Sequence, residues 1–158
     1  MSIRVLLMAV LAFASVLVHA QPPAQAKAQL FLSAKTAPAG SAVKGTVKLS
    51  IPAGFHAYQN PPSKDYMIPV KVTILTKDCI LKEVVYPAGK DVRVTGETDP
   101  IRIYEDTIEI PIVFIAPKKT GQTVIKINVS YQLCVDAECY PPDDATASAK
   151  LNIAAVKK

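Results

Sequence analysis

The chain contains no tryptophan. That excludes a core in which a buried Trp packs against a disulfide joining two sheets. Cysteine is scarce too: there are three, and the two close ones, Cys134 and Cys139, stand too near each other in sequence to bridge two sheets. After the first twenty or so residues no segment is apolar enough to cross a membrane, and helical periodicity is hard to find. No phosphate-binding loop, nucleophile elbow or paired-carboxylate hydrolase site occurs, so nothing points to nucleotide binding or hydrolysis.

What is present begins with a leader. Met1 to Arg4 make a short basic start, and Val5 to Val18 is an apolar run broken only by Ser15. Val18-His19-Ala20 offers small residues at the −3 and −1 positions of a cleavage site, and Ala24-Gln25-Ala26 offers a second. This is the pattern of a secretory signal peptide over residues 1–20, with cleavage after 20 or 26. The run is about 14 residues, short of the ~20 that a spanning helix needs, so the processed protein is not expected to span a membrane. A single domain over residues 27–158 remains, long enough for a real core.

The full chain carries 18 basic and 13 acidic residues. The lysines are scattered, which reads as a solvated surface and not as a nucleic-acid site. Export also decides how cysteines are read, because disulfides form and persist outside the cytosol.

Alternation dominates the mature region. Val43, Val47, Leu49 and Ile51 share one face of a run whose other face is Lys44, Thr46, Lys48 and Ser50. The same pattern holds for Val70, Val72 and Ile74, for Ile108 to Phe114, for Ile125 to Leu133, and for Leu151 and Ile153. Period two with β-branched residues predicts half-buried strands. Turn clusters at Pro38-Ala39-Gly40, Pro52-Ala53-Gly54, Asn60-Pro61-Pro62, Pro87-Ala88-Gly89 and residues 117–121 and 141–144 separate them. About eight or nine short strands at this spacing predict an all-β fold, an immunoglobulin-like antiparallel β-sandwich. Residues 21–28 read as a loose leader before a first strand near Leu30.

The segment Tyr131-Gln132-Leu133-Cys134-Val135-Asp136-Ala137-Glu138-Cys139-Tyr140-Pro141-Pro142 holds the paired cysteines. If the alternation of the strand before it continues, Cys134 falls on the outward face. Residues 135–138 then form a four-residue hairpin loop, and Cys139 returns beside Cys134, within reach of a disulfide. In the chain-entropy model so small a ring is worth about 2 kcal/mol, against more than ~4 for a ring of about 100 residues. A short exposed ring is also open to thiolate attack. Three readings follow: a structural hairpin disulfide in a binding or assembly module, a redox pair, or soft-metal ligands joined by His56 and Met67 around Cu(I).

The neighbours also have two readings each. Asp136 and Glu138 would raise thiol pKa values, or are ordinary polar loop residues. His56 could supply a proton or positive charge to a leaving thiolate, or simply packs. Tyr58, Tyr131 and Tyr140 wall the site or pack in strands. Cys79 reads as a buried free thiol at a turn into a strand, or as a link to another chain.

These residues resemble a known family. The Tyr131-Gln132-x-Cys134-x4-Cys139-Tyr140-Pro141-Pro142 segment is similar to the active-site hairpin of the N-terminal periplasmic domain of the thiol:disulfide interchange reductase DsbD. Gly54-Phe55-His56-Ala57-Tyr58 before Asn60-Pro61-Pro62 resembles a second family segment. Ile103 to Asp106, leading into Ile108 to Pro111, resembles the strand after its cap loop.

The resemblance covers roughly residues 28 to 156. It implies periplasmic thiol:disulfide exchange without a cofactor or metal. The donor would be a thioredoxin-like domain or a separate transmembrane reductase. The acceptors would be periplasmic thiol proteins, including those of cytochrome c maturation. It implies that Cys139 forms the mixed disulfide, that Cys134 resolves it, and that Tyr58 lines the site; His56 stands where some members have Tyr. Family members often continue into a transmembrane domain and a thioredoxin-like domain, and neither occurs in this sequence, so a stand-alone version is implied. The stretch that corresponds to the cap loop, residues 90–100, carries no aromatic residue.

Overall fold

The computed structural model describes residues 24–94 and 98–156. The expected signal peptide lies outside them. Every regular element among the described residues is a strand, and none of them belongs to a helix able to cross a membrane. The strands are β1 Lys27–Leu32, β2 Thr36–Pro38, β3 Ala42–Ser50, β4 Ala57–Tyr58, β5 Lys71–Ile74, β6 Ile80–Val84 and β7 Lys90–Val92. They continue with β8 Ile101–Tyr104, β9 Thr107–Ile115, β10 Gly121–Tyr131, β11 Cys134–Val135, β12 Glu138–Cys139 and β13 Asp143–Ala154. Thirteen strands exceed the expected eight or nine because β2, β4, β7, β11 and β12 have only two or three residues each, too few to show a period.

Two four-stranded sheets form the sandwich, in the orders β1-β3-β9-β6 and β2-β13-β10-β5. Their pairings are antiparallel except for the edge pair β2–β13, which is parallel. The fold is the immunoglobulin-like sandwich that the alternation predicts. Val43, Val47, Leu49 and Ile51 are buried, as are Ile110, Ile112 and Phe114, Ile125 to Leu133 at odd positions, and Leu151 and Ile153. A strand with one face on a core and one in water produces this period of two. The core forms without Trp, from β-branched residues, Leu49, Phe114 and two buried tyrosines, Tyr104 and Tyr131.

Residues 24–28 are not loose. Ala26 is buried, and its N–H donates to the Tyr131 hydroxyl at 3.1 Å. Strand β1 starts at Lys27 and pairs with β3 through six residues. The small residues before it, Ala24 and Ala26, weaken the sequence signal, but the bond from Ala26 to Tyr131 fixes the segment.

A second, smaller assembly accompanies the sandwich. β4, β8 and β7 form a three-stranded antiparallel sheet in that order. Met67, Ile101 and Ile103 form its own buried cluster, with Tyr58, Val92 and Val94 packed on it. Gly89 leads into this sheet. A Cβ there would stand 2.8 Å from the Ile103 carbonyl oxygen, so the close approach of the two chains requires glycine.

Candidate functional site

The cysteine hairpin grows out of the longest strand pairing among the described residues. β10 and β13 match residue for residue from Gly121↔Ile153 to Tyr131↔Asp143. The next two residues of the returning chain are Pro142 and Pro141. Neither has an N–H to give, so the ladder stops. The Gln132 side chain instead caps the Tyr140 carbonyl at 2.9 Å, and the Tyr140 N–H reaches the Leu133 carbonyl at 2.9 Å. The returning chain thereby holds one more residue than the outgoing chain, and pairing resumes in a shifted register as Cys134↔Cys139 and Val135↔Glu138.

This shift corrects two expectations. Cys134 does not lie on the outward face: Leu133 and Cys134 are both buried, and Cys134 is wholly so. The strand does not stay regular past Tyr131, so its parity cannot be extended. The loop is also two residues, Asp136 and Ala137, and not four. Asp136 takes the left-handed conformation, φ 49°, which Asp tolerates better than most residues.

Cys134 and Cys139 are joined by a disulfide, with Cα atoms 4.0 Å apart. They are directly opposed at a position where the two backbones exchange no hydrogen bonds with each other, which is where strand Cα atoms come nearest. The backbone groups of Cys134 therefore point the other way, to His56. Each residue donates its N–H to the other's carbonyl at 2.9 Å. His56 leads into β4, so the short strands run β7-β8-β4 and then through His56 to β11-β12. Cys134 is enclosed within this row, and Cys139 lies on its last strand and is exposed.

The other expected site residues divide. Tyr58 meets the pair: its hydroxyl is 3.4 Å from the Cys139 sulfur. His56 stands two residues earlier on the same face, and its ring lies edge-on to Tyr58 with centroids 6.0 Å apart. Burial pushes the His56 pKa below 6.5, with Glu105 and Asp136 pulling it back up, so the neutral imidazole is favoured at neutral pH. Tyr140 is exposed and packs on Phe55 at 5.7 Å between centroids. Asp136 lines a pocket with His56. Glu138 is exposed on the outer strand. Tyr131 is a core residue that holds Ala26 and Asp143 and does not wall the pair.

Met67 packs with Ile101 and Ile103. No group of three or more His, Cys, Asp or Glu side chains suited to a metal occurs among the described residues. Cys79 is unpaired and half-buried just before β6. Burial, with Asp78 adding to it, raises its thiol pKa.

Sequence reasoning missed the pocket itself. It measures about 390 Å³, and Phe55, Val92, Val94, Ile103, Glu105 and Asp106 line it along with His56 and Asp136. Val92 ends β7, and Val94 follows it two residues later. Their alternation with Asp91 and Arg93 is the sequence signal that marks them.

Solved structures and a protein family resemble the chain. The structure is similar to the N-terminal periplasmic domain of ScsB from Proteus mirabilis, with 13% identity and a TM-score of 0.52, over 78% of this chain and 44% of that one. The chain thus spans less than half of that relative's length. It is also similar to the reduced N-terminal domain of DsbD from Neisseria meningitidis, with 20% identity and a TM-score of 0.46, over 78% of this chain and 83% of that one. No curated protein matches the sequence. Residues 21–151 match the family described as thiol:disulfide interchange protein DsbD, N-terminal. The chain, with its disulfide on a hairpin beside His56 and Tyr58, belongs to the family of N-terminal domains of the thiol:disulfide interchange protein DsbD.

Proposed function

We propose that the Cys134–Cys139 pair is redox-active and carries two electrons at a time from a reductant to periplasmic disulfides. The observation that carries this reading is the unequal exposure of the two sulfurs' residues, Cys134 wholly buried and Cys139 exposed on the outermost short strand. A disulfide used only as a brace gains nothing from that asymmetry. An exchange site needs it, because an incoming thiolate must reach one chosen sulfur in line with the S–S bond.

The cycle balances as follows. A donor thiolate attacks the Cys139 sulfur, the internal S–S bond breaks, and Cys134 leaves as a thiolate that takes a proton. The donor's second thiolate then attacks its own bridged sulfur and releases Cys139 as a thiolate. The donor dithiol has become a disulfide, and both cysteines here are reduced. In the second half, the Cys139 thiolate attacks an acceptor disulfide. Cys134 then attacks Cys139, releases the acceptor as a dithiol, and restores the starting bond. Tyr58 donates a hydrogen bond to the Cys139 thiolate, and neutral His56 accepts or returns the proton. Asp136 and Glu138 disfavour a free thiolate and hold the reduced pair until a partner engages it.

The donor is a thioredoxin-like domain or a separate transmembrane reductase, and the acceptors are periplasmic thiol proteins such as those of cytochrome c maturation. Residues 1–20 are the leader that directs export. The test is the reduction potential of the pair in mature protein carrying Cys79→Ser, equilibrated in thiol buffers, with trapped thiols counted by mass. A value between about −120 and −270 mV supports exchange, whereas one well below about −300 mV marks a structural disulfide and favours a binding or assembly module.

A further inference from the structure

The pocket beside the disulfide has a composition that redox chemistry does not require. Phe55, Val92, Val94 and Ile103 give it apolar walls, and Glu105, Asp106 and Asp136 place carboxylates around them. Among the described residues no lysine or arginine lines it, although the chain carries a net charge of +5. Lys90, which does not line the pocket, pairs with one oxygen of Glu105 at 2.9 Å, and Asp106 and Asp136 line the pocket beside it. His56 adds no opposing charge while its imidazole is neutral.

The pocket is tied to the reacting sulfur by a short row of contacts. His56 lines it, the Tyr58 ring stands 6.0 Å from the His56 ring, and the Tyr58 hydroxyl is 3.4 Å from the Cys139 sulfur. An extended peptide advances about 3.3 Å per residue. A side chain about two residues from an attacking cysteine therefore reaches the pocket while that cysteine sits at Cys139.

We propose that this pocket is a specificity site that takes a basic side chain, arginine or lysine, from the partner segment flanking the partner's reactive cysteine. The inference rests on the redox reading above. Such a side chain suits both parts of the pocket: its methylene stem lies on the apolar walls, and its charged head meets the carboxylates. Favourable charge pairs near a reaction centre act on partner choice and encounter rate more than on the chemistry itself.

The probes are blocked pentapeptides with one cysteine and, two residues away on either side, arginine, norleucine or glutamate. Each is reacted with oxidised mature protein, and formation of the Cys139 mixed disulfide is timed by acid quench and mass. The arginine peptide is expected to react about tenfold faster than the glutamate peptide at low salt, with norleucine between them. In Glu105→Gln/Asp106→Asn protein the arginine-to-glutamate ratio is expected to fall toward one. The ratio is taken within each protein, so a change in intrinsic disulfide reactivity cancels. Asn accepts the left-handed backbone of Asp106, φ 58°, and a thermal melt checks the fold.

A glutamate peptide that reacts as fast or faster overturns the proposal, since the net positive charge alone predicts that order. So does an arginine advantage that survives in the double variant, or a norleucine peptide equal to arginine. If dithiothreitol reduces the wild-type pair normally in those cases, the redox reading stands and only the pocket assignment falls. If neither dithiothreitol nor any peptide exchanges with the pair, both fall together.

Discussion

His56 and Cys134 exchange a pair of backbone hydrogen bonds, each 2.9 Å, across a gap of 78 residues in sequence. This single bridge ties the cysteine hairpin to the small sheet of β4, β8 and β7. It covers Cys134 on the side away from Cys139 and places His56 and Tyr58 along the disulfide. The two cysteines become unequal because of it, and their predicted roles differ accordingly.

With Cys134 replaced by alanine, Cys139 has no internal partner. Cys134→Ala is expected to accumulate a mixed disulfide with a disulfide-bonded acceptor, at least about tenfold above Cys139→Ala under the same conditions, because no Cys134 thiolate is left to release the acceptor. Peptide mapping should place the bond at Cys139 and not at Cys79, whose thiol is half-buried and held above its usual pKa. Equal trapping by the two variants would refute the assignment of attack to Cys139.

The Tyr58 hydroxyl lies 3.4 Å from the Cys139 sulfur. In the reduced protein it can donate to the thiolate, the form that a hydrogen bond stabilises most. Tyr58→Phe is expected to raise the Cys139 pKa and slow exchange by roughly three- to tenfold, the effect of one hydrogen bond worth about 1 kcal/mol. The pH profile of iodoacetamide alkylation in reduced Cys79→Ser protein measures the shift. A profile that does not move would reduce Tyr58 to a packing residue.

His56 makes stability depend on pH with a definite sign. Burial holds its folded pKa below the unfolded 6.5. Between those two values the unfolded chain binds more protons, so stability rises with pH through that window and is lost as pH falls through it. The urea midpoint is expected to drop between about pH 7 and about pH 5.5, and to drop less in His56→Gln. Parallel curves for the two proteins would sink the attribution to His56.

The Tyr131 hydroxyl accepts from the Ala26 N–H and donates to Asp143. Tyr131→Phe removes both bonds and leaves a buried donor unmet, at an expected cost of about 1–3 kcal/mol by urea unfolding. The same contact bears on processing. Cleavage after Ala20 keeps Ala26 in place and cleavage after Ala26 discards it, so exported protein is expected to begin at Gln21. An intact mass that begins at Lys27 would contradict this.

Much of the sandwich is legible in the sequence. Strands β3, β9, β10 and β13 have nine to twelve residues each, long enough for a period of two to show. The pairing of Cys134 with Cys139 is legible as well, since the two stand five residues apart within one segment. The burial of Cys134 is not. It depends on a register shift at Pro141-Pro142 and on a bridge from His56, and alternation inside one strand carries no information about either.

The sequence by itself determined that this is a β protein with one close pair of cysteines and a leader-like start, because periodicity, spacing and composition are local properties. Only the tertiary structure decided which cysteine is enclosed, that Tyr58 and not Tyr131 meets the sulfur, and that Val92, Val94 and three carboxylates share a pocket beside it. Those relationships join segments tens of residues apart. They follow from how the sheets close on each other and from where two prolines interrupt a ladder, and both are settled only when the whole chain has folded.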